Sequence, residues 1–187
     1  LIRRKQGSGT FVTHPSQVIE SGLEVLESIE TLADRIGLEV TLGECIVGTR
    51  APTADECEAL SLDSCLEIIQ VSRVILAEDR PVAYLIDTLP NDVVMPTELS
   101  AGFTGSVLDL LLRRGTPSLL TSRTEINAVT ASGEVSRALG IQRGDVLLRF
   151  IAYLYATNGR VVDFSYSYFL PGYFRFHVVR RVGYISD

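Results

Sequence analysis

Residues 44–90 and 125–171 follow one plan, and that plan limits the possible folds more than any other feature of the chain. Each stretch reads as a strand, a short helix ending in Ala-Leu, a strand, a turn, a strand and a closing proline. Ala59-Leu60 and Ala138-Leu139 stand at the same point of the two copies. Glu44 and Glu125 occupy matching places in the first strands, and Pro90 and Pro171 end them. Two β-α-β-β units of this kind share one antiparallel sheet of about six strands, with their helices on one face and the other face left for function. The expected fold class is therefore α+β.

Local signals fill in the plan. Thr53 and Glu56 in TADE make a capping-box pattern for a helix ending near Leu60. LEIIQVSRVIL (66–76) and PVAYLIDTL (81–89) are β-rich and joined by AEDR, a hairpin without the usual glycine. A helix is expected from Ser106 to Arg114, stopped by Gly115, and 118–129 alternates as a strand. Ser132 caps a further helix ending at Gly140. Residues 145–156 and 160–169 form the second hairpin, whose Asn158-Gly159 turn uses two residues that tolerate positive φ. Ahead of the first unit, Leu23, Leu26, Ile29 and Ala33 recur at helical spacing. They predict a helix over 18–36 with Gly37 as its C-cap, after a linker containing Pro15 and before a strand at 38–48.

A chain of 187 residues accommodates one full core plus a short appendage. The net charge of −6 excludes most of its surface from nucleic-acid binding, which needs clustered Lys and Arg. Cys45, Cys57 and Cys65 have no zinc-type spacing and read as reduced thiols of a cytoplasmic protein. His14 and His177 are the only histidines, so no His-rich metal site is available and no cofactor is implied. No run is long and apolar enough for a membrane span.

The basic stretch RRKQGSGTFV, residues 3–12, stands out against this acidic background. It resembles the wing of the winged-helix DNA-binding domain in GntR-type bacterial regulators, where a basic arm, Gly-x-Gly and Thr-Phe-Val recur together. The remainder of the chain resembles the effector domain of the HutC branch of that family, the UTRA domain. The marks are Arg73 eight residues before Pro81, Pro81-Val82-Ala83 opening the next strand, and Leu89-Pro90. Gly105-Ser106 at a helix start, Ala138-Leu139-Gly140-Ile141, the Gly159 turn and Arg175-Phe176 complete the series. The resemblance implies a chorismate-lyase-like fold and a homodimeric regulator whose effector domain binds a small metabolite. It also implies a division at residues 1–13, a wing remnant with Arg3, Arg4, Lys5, Gly7 and Gly9 toward DNA, and 14–187, the ligand-binding and dimerisation domain. Operator DNA would then be read only through the winged-helix domain.

The same resemblance implies site residues. Phosphosugar-sensing relatives carry two arginines on the strand equivalent to 66–76, a serine at the following helix start and an acidic residue in the later hairpin. Arg73 matches the first arginine, Ile75 stands where the second would be, Ser106 matches the serine and Asp163 the acid. Leu85 replaces a common strand glutamate, with Asp87 two residues on along the same face. One guanidinium in a greasier pocket suits an organic acid or amino-acid-like effector better than a sugar phosphate. Glu125 and Tyr166 complete the expected ligand set. Two alternatives stand beside this one for Arg73, a cross-strand ion pair with Glu67 or with Glu125. Tyr166 and Tyr168 also suit a core or a dimer interface. Two other functions share the fold: a dimerisation module with a vestigial pocket, and a chorismate-lyase-like enzyme. The lack of a nucleophile-base arrangement, a metal cluster or a GxGxxG loop argues against the enzyme.

Overall fold

The computed structural model describes residues 17–62, 67–99, 103 and 105–182, and the backbone strands at 2–5 and 9–12. In chain order the elements are β1 (Ile2–Lys5), β2 (Gly9–Val12), β3 (Ile19–Gly22), α1 (Ile29–Arg35), β4 (Val40–Arg50), α2 (Ala54–Leu60) and β5 (Ile68–Ala77). There follow β6 (Arg80–Pro90), α3 (Val107–Arg114), β7 (Leu119–Thr130), α4 (Gly133–Leu139), β8 (Val146–Ala156), β9 (Val161–Phe169) and β10 (Phe174–His177).

The main sheet has six strands in the order β4-β5-β6-β9-β8-β7, every pair antiparallel. This order is the doubled plan made visible. Each unit lays down three adjacent strands, and the last strands of the two units, β6 and β9, meet at the centre. The unit helices α2 and α4 lie on one face. Leu60 of α2 packs with Ile68 and Phe164, and Tyr84 of β6 donates from its hydroxyl to Glu134 of α4 at 2.9 Å.

The expected caps are present. Thr53 and Glu56 close a complete capping box on α2, and Ser132 accepts the Val135 N–H at the start of α4. Glu56 is tied further by Arg50, whose two terminal nitrogens donate to its carboxylate at 2.7 and 2.6 Å. The β8–β9 turn differs from expectation, because only Gly159 has positive φ, at 80°. Asn158 instead accepts the Arg160 N–H on its side-chain oxygen at 3.0 Å. Three residues, 157–159, therefore form the loop, and the register shift between Leu154 and Tyr155 lies within the ladder, where Val162 of β9 is the extra residue.

The opposite face is not open. It is roofed by α3, which inserts Val107 and Leu111 against Ile69, Val71, Leu89 and Leu154, and by α1, which buries Ile29, Leu32 and Ala33 in the cluster holding Ile75, Leu85 and Phe150.

The helix expected over 18–36 is corrected to a strand and a shorter helix. Residues 19–22 pair in parallel with β10, and Ile19 N–H reaches the Tyr173 carbonyl at 2.8 Å. Only the segment after Ser28, whose hydroxyl oxygen accepts the Thr31 N–H, is helical. Leu23 and Leu26, which set the helical spacing, are 39% and 47% exposed and pack no core.

β1 and β2 form the expected hairpin, with Arg3 opposite Phe11 and Lys5 opposite Gly9. Arg4 pairs with Thr10, whereas Gly7 lies outside the described residues. Cys45 and Cys57 are free thiols, and Cys65 also lies outside the described residues.

Candidate functional site

Strand register decides which polar groups meet. Arg73 sits opposite Leu85, Asp87 opposite Ser165, and Asp163 opposite Leu154, so Arg73, Asp87 and Asp163 share the face roofed by α1 and α3. All three are almost fully covered, at 4%, 8% and 7% exposure. A lone guanidinium there needs a partner, because an unpaired buried charge is very costly. That partner is Asp87, whose Oδ2 accepts from Arg73 Nη2 at 2.9 Å. It is neither Glu67, which is exposed, nor Glu125. Arg73 Nη1 lies 3.7 Å from Glu30 Oε1 of α1. Among the described residues, Arg73 Nε and Nη1 and Asp163 Oδ1 are buried without a hydrogen-bond partner.

The acids around this cation are not alike. Burial, and then the Asp87 carboxylate, push the Asp163 carboxyl well above the usual range, against the pull of Arg73. Burial also raises Glu30, with Arg73 opposing and Asp109 and Asp87 adding to the rise. The cluster thus offers two idle guanidinium donors beside a carboxyl held toward its protonated form.

Helix α3 brings a fifth element to the edge of the cluster, after β5, β6, β9 and α1. Ser106 is buried and caps α3 by accepting the Asp109 N–H at 3.0 Å. Its Oγ therefore already serves the first turn. Asp109 in turn accepts the Ser28 hydroxyl at 2.8 Å, fastening the start of α1 to the start of α3. A Cβ on Gly105 would lie 3.6 Å from Glu30 Oε1, which places the start of α3 beside the acid facing Arg73.

Two expected site residues are not with the others. Glu125, Ile151, Tyr166, Ile86 and Ser72 run across the sheet in register, one residue out of step with Arg73, and so face the other side. Glu125 pairs there with Arg123 at 2.6 Å on edge strand β7. Tyr166 packs edge-on against Phe164, with the Arg149 guanidinium 6.0 Å above its ring. Ile75 and Leu85 are core residues, so the positions that lost polar groups now pack α1. Sequence reasoning missed Glu30, Asp109 and Ser28. Ser28 was readable as a cap, but the contacts that matter are long-range and leave no local pattern.

The sequence model of the UTRA domain matches residues 35–175. The chain belongs to the UTRA domain family. It is 26% identical over 170 residues to the HTH-type transcriptional repressor NagR of Bacillus subtilis, covering 89% of this chain and 68% of that protein. Among solved structures it resembles PhnF of Mycobacterium smegmatis, with a TM-score of 0.78 at 17% identity over 97% of this chain and 79% of PhnF. The separate effector domain of PhnF gives a TM-score of 0.74 at 16% identity, over 88% of this chain and all (100%) of the domain. The latter two likenesses concern the fold, the α+β, chorismate-lyase-like architecture of GntR-family effector domains. This UTRA chain is thus an effector-binding domain of a GntR-family transcriptional regulator, and its relatives are regulators rather than enzymes. No helix among the described residues is long and apolar enough to cross a membrane.

Proposed function

We propose that this domain senses a small metabolite at Arg73, Asp87, Asp163 and Ser106, and that effector binding alters operator binding by a HutC-branch regulator. The carrying observation is a buried guanidinium with two idle donors beside the idle oxygen of a buried acid. Leaving such groups unsatisfied costs about 1–3 kcal/mol each, which a ligand with matching groups recovers. Among the described residues one cation serves the site and Asp87 already offsets it, so a carboxylate or amino-acid-like effector suits it better than a phosphate dianion. DNA would be read through the winged-helix domain, of which residues 1–13 form the wing with Arg3, Arg4, Lys5, Gly7 and Gly9, in a cytoplasmic regulator. Residues 14–187 would bind ligand and dimerise. Exposed Leu42, Ile46 and Val47 on edge strand β4, and Leu120 and Ile126 on edge strand β7, support a homodimer.

The Arg73–Asp87 pair, closed within the chain, also favours a second reading, a dimerisation module with a vestigial pocket. Calorimetry with small carboxylates, amino acids and sugar phosphates separates the two. A sensor binds one class, and Arg73→Lys, which keeps the charge but loses the fork of donors, weakens it by about 1.5–3 kcal/mol. Unchanged affinity removes Arg73 from the site, and no binding across the panel favours the vestigial module.

A further inference from the structure

Glu30 stands out because sequence reasoning gives it no role and the cluster does not need it for charge balance. Asp87 already holds Arg73 through a hydrogen bond at 2.9 Å. Glu30 faces the other terminal nitrogen at 3.7 Å, close enough for an ion pair and too far for a hydrogen bond. Its side chain retains 28% exposure while that of Arg73 has 5%, so it lies on the solvent side of the guanidinium. The Gly105 contact sets it beside the start of α3, next to the residue that precedes the Ser106 cap. It is thus a carboxylate loosely seated where an effector's carboxylate would meet the idle donors.

The carrier of Glu30 matters as well. α1 is fastened to the site by two side-chain links, Glu30 to Arg73 and Ser28 to Asp109. β3 and the β1–β2 hairpin directly precede it in the chain. Whatever loosens the first link acts on the segment joining the wing-like hairpin to the sheet.

We propose that Glu30 is a resident counter-anion of the effector site, which the anionic group of the effector displaces from Arg73, loosening α1 while its buried apolar face and the Ser28–Asp109 link stay in place. Glu30 then sets the affinity threshold for every anionic ligand and makes binding and movement of α1 one event. The inference rests on the effector-site reading above, and its failure is separable from failure of that reading.

The test uses acetate and inorganic phosphate as probes, titrated onto the 187-residue chain while the backbone amide resonances of β5, β6 and α1 are followed by NMR, a signal that survives every substitution below. Glu30→Gln and Glu30→Ala are expected to bind acetate about fivefold more tightly or better, since a charged competitor is gone. Arg73→Lys is expected to abolish the response at this site. Acetate saturation should speed amide hydrogen exchange in α1 of the wild type but add nothing in Glu30→Gln, where that link is already cut. Unchanged affinity in both Glu30 variants, with loss in Arg73→Lys, overturns the role of Glu30 and leaves the site standing. Acetate binding that survives Arg73→Lys overturns both.

Discussion

At the scale of single residues, one guanidinium faces acids from three elements: Asp87 of β6, Asp163 of β9 and Glu30 of α1. Such a cluster is a poor way to gain stability, and Asp163 shows why. Its folded-state pKa is raised, so its favourable protonated form is fully populated below the unfolded value, about 3.9, and that stability is lost as pH climbs through the folded value. Asp163→Asn should therefore stabilise the fold at pH 7 by about 1–2 kcal/mol and flatten this limb of the pH profile in urea titrations. Parallel profiles for variant and wild type would contradict it. Glu56 behaves oppositely. Burial raises its carboxyl, but hydrogen bonds from Arg50 and the Thr53 N–H overcome that and hold it at about 2. Its contribution is present above the ordinary carboxylate pKa and lost as pH falls toward 2. Between pH 5 and 2 the wild type should lose about 1–3 kcal/mol more than Glu56→Gln, read by denaturation at each pH.

At the scale of elements, capping chemistry and strand alternation were legible because each is set within a few residues. The Thr53–Glu56 box, the Ser106 and Ser132 caps and both hairpins follow from neighbours in sequence. The segment before α1 was not legible. Ile19 is buried by pairing with β10, at the far end of the chain, and apolar spacing alone mimicked a helix. The β5–β6 turn repays inspection for a different reason. Glu78 and Asp79 both have positive φ, 51° and 59°, a conformation that Asp tolerates better than Glu and that glycine, the usual residue at the second turn position, adopts without steric cost. Asp79→Gly should raise stability by about 0.5–1 kcal/mol in thermal melts, and a lower melting temperature would contradict strain at this turn. Leu111 is fully buried where α3 meets the sheet, so Leu111→Ala should cost about 2–5 kcal/mol of unfolding free energy.

At the scale of the whole molecule, the doubled β-α-β-β plan predicted the six-stranded sheet and the helices on one face. It did not predict that α1 and α3 roof the other face, because their packing depends on contacts between distant segments such as Ser28 with Asp109. The site was legible in part for the same reason. Arg73, Asp87 and Asp163 lie on strands whose alternation orders them, while Glu125 and Tyr166 shared a strand context with them but not a face. An arrangement of this shape links the covered face to α1, the segment through which an effector would reach the hairpin ahead of it. The most direct measurement is a crystal structure of the chain with a metabolite that raises its melting temperature. An effector site at Arg73 predicts ligand density with an acceptor about 3 Å from Arg73 Nε or Nη1 and Glu30 turned away. Density elsewhere, with Arg73, Asp87 and Glu30 unmoved, would contradict it.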